Sequence, residues 1–284
     1  MNWLELSVLS ALFSATTDTF SKKAVADSDV LTVAWVRFGY ALPFLLPVLV
    51  FIEIPRLDST FFVVNLLLVP LEIIALVLYI KAIKLSPLSL TLPFLAFTPV
   101  FLIGTSFLML GERPDRAGLA GIVLVAMGAY LLNVHTTKEG ILAPLQAIAR
   151  EEGSMLMVVV AFIYSITSNL GKTAIQHSSP AFFAVFYPAI LALALLPLMR
   201  LNLDRGLKTL TSRPLLFAFI GLSNALQFIT HCIAIMLVEV PYMISIKRTA
   251  LLFGIIYGWM LFRETNLRER LLGGLVMMIG VGLI

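Results

Sequence analysis

"LMLGERPDRAGLAGIVLVAMGAYLL" (108–132) and "MLFRETNLRERLLGGLVMMIGVGLI" (260–284) are one segment written twice, 152 residues apart. Glu112 falls on Glu264, Gly121 on Gly273 and Gly128 on Gly280. The register continues towards the N-terminus at an offset of 150: "LFSATTDTFSKKAVADS" (12–28) lies over "FIYSITSNLGKTAIQHS" (162–178). Thr17, Lys22, Ala24 and Ser28 there meet Thr167, Lys172, Ala174 and Ser178, and Leu46-Pro47 meets Leu196-Pro197. Two residues are added in the connection between the second and third segments of the unit. The order of the matches and their near-constant offset make the chain a duplication.

Each copy is too apolar to be a soluble domain. Hydrophobic residues make up 60% of the chain and charged residues 13%, about half the charge a soluble surface carries. Ten charge-poor runs are each long enough to cross a bilayer: 3–21, 30–52, 61–80, 88–109, 116–134, 154–174, 181–199, 214–236, 241–261 and 269–284. In lipid a backbone must satisfy its own polar groups, so the expected fold is all-α. Five crossings per copy, an odd number, force the second copy to be inverted relative to the first. The expected architecture is therefore ten transmembrane helices as two inverted five-helix repeats, 1–134 and 154–284, joined by a linker at 135–153. Within "NVHTTKEGILAPLQAIAREEG" (133–153), Ile141, Leu145 and Ile148 stand at helical spacing, so the linker reads either as a short interfacial helix or as an ordinary polar connection. The first run lacks a basic leader and a clear cleavage pattern, and reads as a retained helix.

Composition narrows function further. The net charge of +4 lies in the loops and suits lipid headgroups better than nucleic acid. One cysteine, Cys232, leaves no intrachain disulfide. No metal site or other cofactor is expected. Only three histidines are present and no HExxH pair, so a membrane enzyme has no nucleophile–base or ligand set to work with. Inverted repeats are a common plan of secondary transporters, with the binding site near the midplane between the halves. The multi-pass chain would sit in the cytoplasmic (inner) membrane if bacterial.

The segment 78–132 also resembles the drug/metabolite transporter superfamily, specifically its EamA-type ten-helix members. The resemblance is carried by Ala82, Ser86-Pro87-Leu88-Ser89, Pro93, Thr98-Pro99, Leu110-Gly111-Glu112-Arg113 and the glycine-spaced fifth helix. A weaker second copy ends in Phe262-Arg263-Glu264. The resemblance implies an integral transporter of small metabolites or drugs with a cavity between its halves and cytoplasmic termini. Lys and Arg point the other way on orientation: most lie after the odd-numbered helices (Lys22, Lys81, Arg150, Lys208, Arg268), which by the positive-inside rule puts the termini outside.

Ionisable residues well inside the apolar runs are few: Asp18, Arg37, Glu72, His231, Lys247 and Arg248. Such residues mark pathways or ion pairs, because a charge at the centre of a membrane helix costs about 2.5–3.5 kcal/mol on the insertion scale. On the third helix Asn65, Glu72 and Tyr79 are seven apart and share a face. In the other copy Glu72 aligns with Asn224 and Tyr79 with His231, and Gln227 joins that stripe. Matching stripes on equivalent helices point to a shared cavity. Arg248, on a polar face with Ser245 and Thr249, is the expected grip on an anionic group. Lys247 is expected to pair with a carboxylate such as Glu72, beside Ala250 and Gly254 where another helix approaches. Asp18 and Lys22, four apart, can pair locally, and Lys22 and Lys172 read mainly as anchors rather than as direct substrate contacts. Pro93 and Pro99 are the prolines expected to shape the cavity, and the glycines of the fifth and tenth helices to serve close packing.

The candidate site is thus Glu72, Arg248, Lys247, Arg37, Asn224, Gln227, His231 and Tyr79, with protons a candidate coupling ion through Glu72. The resulting expectation is a uniporter, exchanger or proton-coupled transporter of a small anionic or zwitterionic metabolite or drug, not an enzyme. A lipid flippase or a non-transporting receptor on the same scaffold is the alternative.

Overall fold

A computed structural model describes residues 1–86, 91–134, 151–199, 213–262 and 271–284. The linker helix expected near Ile141–Ile148 and the Arg263-Glu264 motif fall outside them. The described residues are all helix and connection. In chain order the α-helices are α1 (Trp3–Val25), α2 (Val30–Gly39), α3 (Leu42–Leu45), α4 (Ser59–Leu85), α5 (Phe97–Leu110), α6 (Arg116–Val134), α7 (Glu152–Gln176), α8 (Pro180–Met199), α9 (Pro214–Leu237), α10 (Val240–Lys247), α11 (Ala250–Phe262) and α12 (Leu271–Leu283). Short 3₁₀ segments at Leu46–Phe51 and Leu92–Ala96 extend α3 and precede α5.

Local chemistry sets the helix ends. Asn2 caps α1 in a reciprocal pair with Glu5, Asp29 caps α2 through Thr32 N–H, and Asp58 caps α4 through Phe61 N–H. Proline opens α8 and α9, where its missing N–H is no loss. Gly111 ends α5 at φ 71°, a left-handed conformation that suits glycine.

Seven stretches are long and apolar enough to cross a membrane: Val30–Val50, Ser59–Leu85, Leu92–Leu110, Glu152–Gln176, Pro180–Leu198, Pro214–Leu237 and Val240–Tyr257. Shorter apolar helices cover Arg116–Leu131 and Leu272–Leu283. The protein is a multi-pass integral membrane protein. The first expected span, α1, is not among the seven because it is polar within: Ser7, Ser10, Thr17, Asp18, Thr19 and Ser21 are all buried on it. A helix can be this polar when its faces meet other helices rather than lipid.

The helix contacts come in reciprocal sets. α1 packs along α9 as α7 packs along α4; α1 meets α11 as α7 meets α5; α2 meets α8, and α6 meets α12. The last pair is the closest. A Cβ added to Gly121 would lie 2.7 Å from Gly280 O, one on Gly280 2.7 Å from Gly121 O, and one on Gly128 2.6 Å from Gly273 O. The expected role of these glycines in backbone-to-backbone packing matches that geometry.

Candidate functional site

A cavity of about 190 Å³ lies where α1, α2, α4, α7, α8, α9 and the α10–α11 segment converge. Glu72, Tyr79, Arg37, Asn224, Gln227, His231, Lys247 and Arg248 all line it. Helical spacing on α4 and α9 and the charge of Arg37, Lys247 and Arg248 within apolar runs thus led to positions that share one wall. Pro93 lines it too, in the 3₁₀ segment Leu92–Ala96.

The ionic groups are wired differently from expectation. Asp18 does not pair with Lys22. Its Oδ1 accepts from Arg37 Nη2 at 2.8 Å, with both side chains under a tenth exposed. Lys22 instead turns its ammonium to the carbonyls of Ile83 and Ser86 at the end of α4. Those acceptors are terminal carbonyls that a helix leaves unsatisfied, and Asp18 is already engaged by Arg37. Arg37 is further fixed over the Tyr79 ring, 5.2 Å from its centroid, and Asn224 Nδ2 donates to Arg37 O at 2.7 Å. Arg37, Tyr79, Asp18 and Asn224 form one closed cluster.

Lys247 makes no ion pair with Glu72, contrary to expectation; its Nζ lies 3.4 Å from His231 Nδ1. The two charges are carried by different helices, α4 and α10, that hold them apart. Glu72 lines the same cavity wall as Thr167 and Tyr187. Gly254 has open space where a Cβ would stand and lines the cavity with Lys247, rather than receiving another helix. Arg248 Nε is buried with no hydrogen-bond partner, and among the described residues no carboxylate lies within ion-pair distance of its guanidinium. Arg248 and Thr249 occupy a turn between α10 and α11, so the Val240–Tyr257 stretch passes from one helix to the next where its cations stand. Of the polar stripe on α4, Asn65 is buried away from the cavity, its Nδ2 donating to Phe61 O at 2.8 Å.

Residues absent from the sequence-based site complete the wall: Asp18, Ser14, Thr19, Tyr164, Thr167, Ser168 and Tyr187. For five of them, Asp18, Ser14, Tyr164, Ser168 and Tyr187, the signal lies in the duplication. At the offset of 150, Ser14 meets Tyr164, Asp18 meets Ser168 and Arg37 meets Tyr187, and every member lines the cavity. At 152, Ala96 meets Arg248, so the break before α5 and the break before α11 are also equivalent. Among the described residues no group of three His, Cys, Asp or Glu stands together to hold a metal.

Beyond the cavity, one end of the bundle is clamped. Glu112 Oε1 accepts from Lys172 Nζ at 2.6 Å, and its Oε2 accepts from Val240 N–H at 2.8 Å. Lys172 also donates to Val238 O at 2.8 Å. Tyr242 Oη beside this clamp donates to Asp115 Oδ1 at 3.0 Å.

The EamA-like transporter family matches residues 1–134 and again residues 152–284. The chain belongs to that family. It is a membrane transporter of small molecules, and both copies of the duplicated unit carry the family pattern. One solved structure, described as "Crystal structure of protein", resembles this EamA-like chain with a TM-score of 0.71 over 99% of this chain and 96% of its own, at 15% identity. At that identity the likeness speaks for the EamA-like fold alone. No curated protein matches the chain.

Proposed function

We propose that this chain is a secondary transporter that moves a small anionic or zwitterionic metabolite by alternating access between two inverted repeats, 1–134 and 154–284, of five crossings each. The reciprocal helix contacts and the paired breaks before α5 and α11 support that architecture. Both are what a two-fold axis in the membrane plane generates. The observation that carries the function is Arg248, a guanidinium on the cavity wall without a carboxylate partner. Burying a cation unpaired is costly, and Lys247 beside it raises that cost. An anionic substrate group supplies the missing charge, bidentate to the guanidinium fork. Across the wall Arg37, Lys247 and Arg248 outnumber Asp18 and Glu72, which favours an anion further.

Glu72 shares the cavity wall with Thr167 and Tyr187 and has no cation in ion-pair distance among the described residues, which supports a role in loading and releasing a proton between states. No nucleic acid, metal or cofactor has a place in this scheme. The membrane would be the cytoplasmic one if the source is bacterial.

The test is reconstitution into liposomes loaded with a small-molecule metabolite extract, with loss from the lumen followed by mass spectrometry. An anionic or zwitterionic species leaves through the native chain and not through Arg248→Ala at equal abundance. Equal efflux by the variant would remove the assignment. Repeating the flux with and without a pH gradient in Glu72→Gln tests coupling, and retained gradient-driven accumulation would exclude it.

A further inference from the structure

We infer that Tyr242 is the latch of a gate: its hydrogen bonds to Asp115 hold α10 across one end of the cavity, and releasing them opens that end. This rests on the alternating-access reading above.

The reciprocal helix contacts divide the walls into two groups, α1 with α9, α10 and α11, and α7 with α4 and α5. The groups touch at α10, which also packs on α5 and α6. Ile244 and Lys247 on α10 line the cavity, whereas Val240, Tyr242 and Met243 are buried and line none of it. The first turn of α10 thus stands between the cavity and the end clamped by Glu112 and Lys172. Two struts keep it there. One is the Glu112 carboxylate on Val240 N–H. The other is Tyr242, whose Oη donates to Asp115 Oδ1 and accepts from Asp115 N–H, each at 3.0 Å. Asp115 Oδ1 also accepts from Gly118 N–H at 2.7 Å and so caps α6. A Cβ on Gly118 would lie 2.1 Å from Tyr242 Oη, so glycine is what lets the phenol reach the cap.

The duplication separates the contacts that set a preference from those that do not. Two equivalent ends joined by equivalent bonds would open with equal ease. The lysine arm occurs at both, Lys172 on Val238 O and Lys22 on Ser86 O, and the sequence repeats Glu112 as Glu264. The tyrosine strut does not recur. At the offset of 152, Tyr242 falls on Leu90, Asp115 on Leu267 and Gly118 on Arg270. A leucine side chain exchanges no hydrogen bond, so the strut belongs to one end alone and biases the protein towards closing it. A hydrogen bond of ordinary net worth moves such an equilibrium by on the order of 10-fold. The same helix connects latch and cavity. Tyr242 and Lys247 stand five residues apart on α10, about 7.5 Å along its axis, and the turn at Arg248-Thr249 separates that helix from α11. A shift of Lys247 within the cavity therefore reaches the latch directly.

Cys232, the single cysteine of the chain, is buried in the cavity wall and reports which face of the membrane has access to it. Right-side-out and inside-out vesicles holding the full-length chain are treated with a small membrane-impermeant methanethiosulfonate, and the rate of Cys232 modification is read from each face. Arg113→Cys in a Cys232→Ala chain marks the face that carries the clamped end, because Arg113 is exposed in the same loop. Tyr242→Phe should raise the rate from that face by on the order of 10-fold and not from the other. The variant should fold, since Asp115 is exposed and water can replace the phenol. Gly118→Ala keeps every polar group but displaces the phenol, and should do the same; if it fails to fold, Tyr242→Phe decides. Lys22→Gln, at the opposite end, should raise the rate from the opposite face instead. An equal rise from both faces in Tyr242→Phe would be general loosening and would overturn the latch. An unchanged rate from the clamped face would overturn it too, and modification of the native chain from both faces would then leave the transporter standing. Modification confined to one face in every variant would remove alternating access and the latch with it.

Discussion

Replacing Glu112 with alanine should loosen the clamped end of the bundle by an amount that can be worked from its contacts. The side chain is 12% exposed and that of its partner Lys172 is 10% exposed, so solvent screens the pair only slightly. The substitution removes one charge-assisted bond of 2.6 Å and strands the ammonium on the single carbonyl of Val238. It also orphans Val240 N–H at the start of α10, a helix whose N-cap Glu239 makes no side-chain capping bond. Breaking a buried pair from one side costs about 3–5 kcal/mol. With about a tenth of each side chain reaching water, the lower end, about 3 kcal/mol, is expected. Removing both charges in Glu112→Gln/Lys172→Met leaves no stranded ion and should recover most of the loss. Equilibrium unfolding in mixed detergent of the native chain, Glu112→Gln, Lys172→Met and the double variant measures the coupling, expected at about 3 kcal/mol or more because each single strands a group and the double does not. Single variants that unfold with the native chain, or effects that add to within about 0.5 kcal/mol, would refute the clamp.

Arg37 and Arg248 should separate by phenotype: Arg37→Gln strands Asp18 and lowers stability by about 3 kcal/mol, whereas Arg248→Gln lowers substrate affinity with little change in unfolding. A binding titration beside a melting curve for each decides it, and like behaviour of the two variants would undo the distinction. Gly128→Ala should destabilise by about 1–3 kcal/mol because its methyl group meets Gly273 O and Met277 N. Gly104→Ala, where nothing lies within 4 Å, should be neutral or stabilise by up to about 1 kcal/mol, and the same unfolding curves compare them. At the membrane edge, Phe61 N–H, donating to Asp58, holds that carboxyl below its ordinary range, and the His177 contact lowers it further. A lowered folded pKa gives stability that is present above the unfolded value and lost as pH falls through the folded one. The melting temperature should accordingly drop on acidification below the usual carboxylate range, and Asp58→Asn should flatten that limb of the profile.

How much of this was legible depended on how far each signal lay from its partner. The stripes Glu72–Tyr79 and Asn224–Gln227–His231 could be read from spacing, because a polar residue in lipid needs an interior face and helical periodicity says which. The spacing of Asp18 and Lys22 misled. Two opposite charges four apart look self-sufficient, yet the open carbonyls at the end of α4 claim the lysine and a guanidinium on α2 claims the aspartate. Those partners are set by packing, and no local pattern announces them. Hydroxyls such as Ser168, which donates to Tyr164 O at 2.6 Å within its own helix, carry no signal singly. Only the 150-residue offset to Asp18 marks the position. The turn at Arg248-Thr249 contains neither proline nor glycine, so the break that sets the cations in the cavity wall was silent in the sequence.

The duplication explains why position and chemistry diverge. Lys22 and Lys172 occupy equivalent places and do equivalent work: each ammonium reaches the carbonyl at the end of the third helix of its own repeat, Ser86 in one and Val238 in the other, 152 residues apart. This anchor is therefore retained in both copies. The cavity is different. Glu72 faces an equivalent Asn224, Arg37 an equivalent Tyr187, and Arg248 an equivalent Ala96, so each ionic position is charged in one copy and neutral in the other. A scaffold that exchanges the roles of its halves gains from symmetry, since two conformations of similar energy follow from two similar units. A ligand without two-fold symmetry gains from the opposite, because charges duplicated across the axis would offer it two competing poses. Under the proposed alternating access, single copies of Glu72 and Arg248 would give a substrate one orientation within a framework that rocks between two.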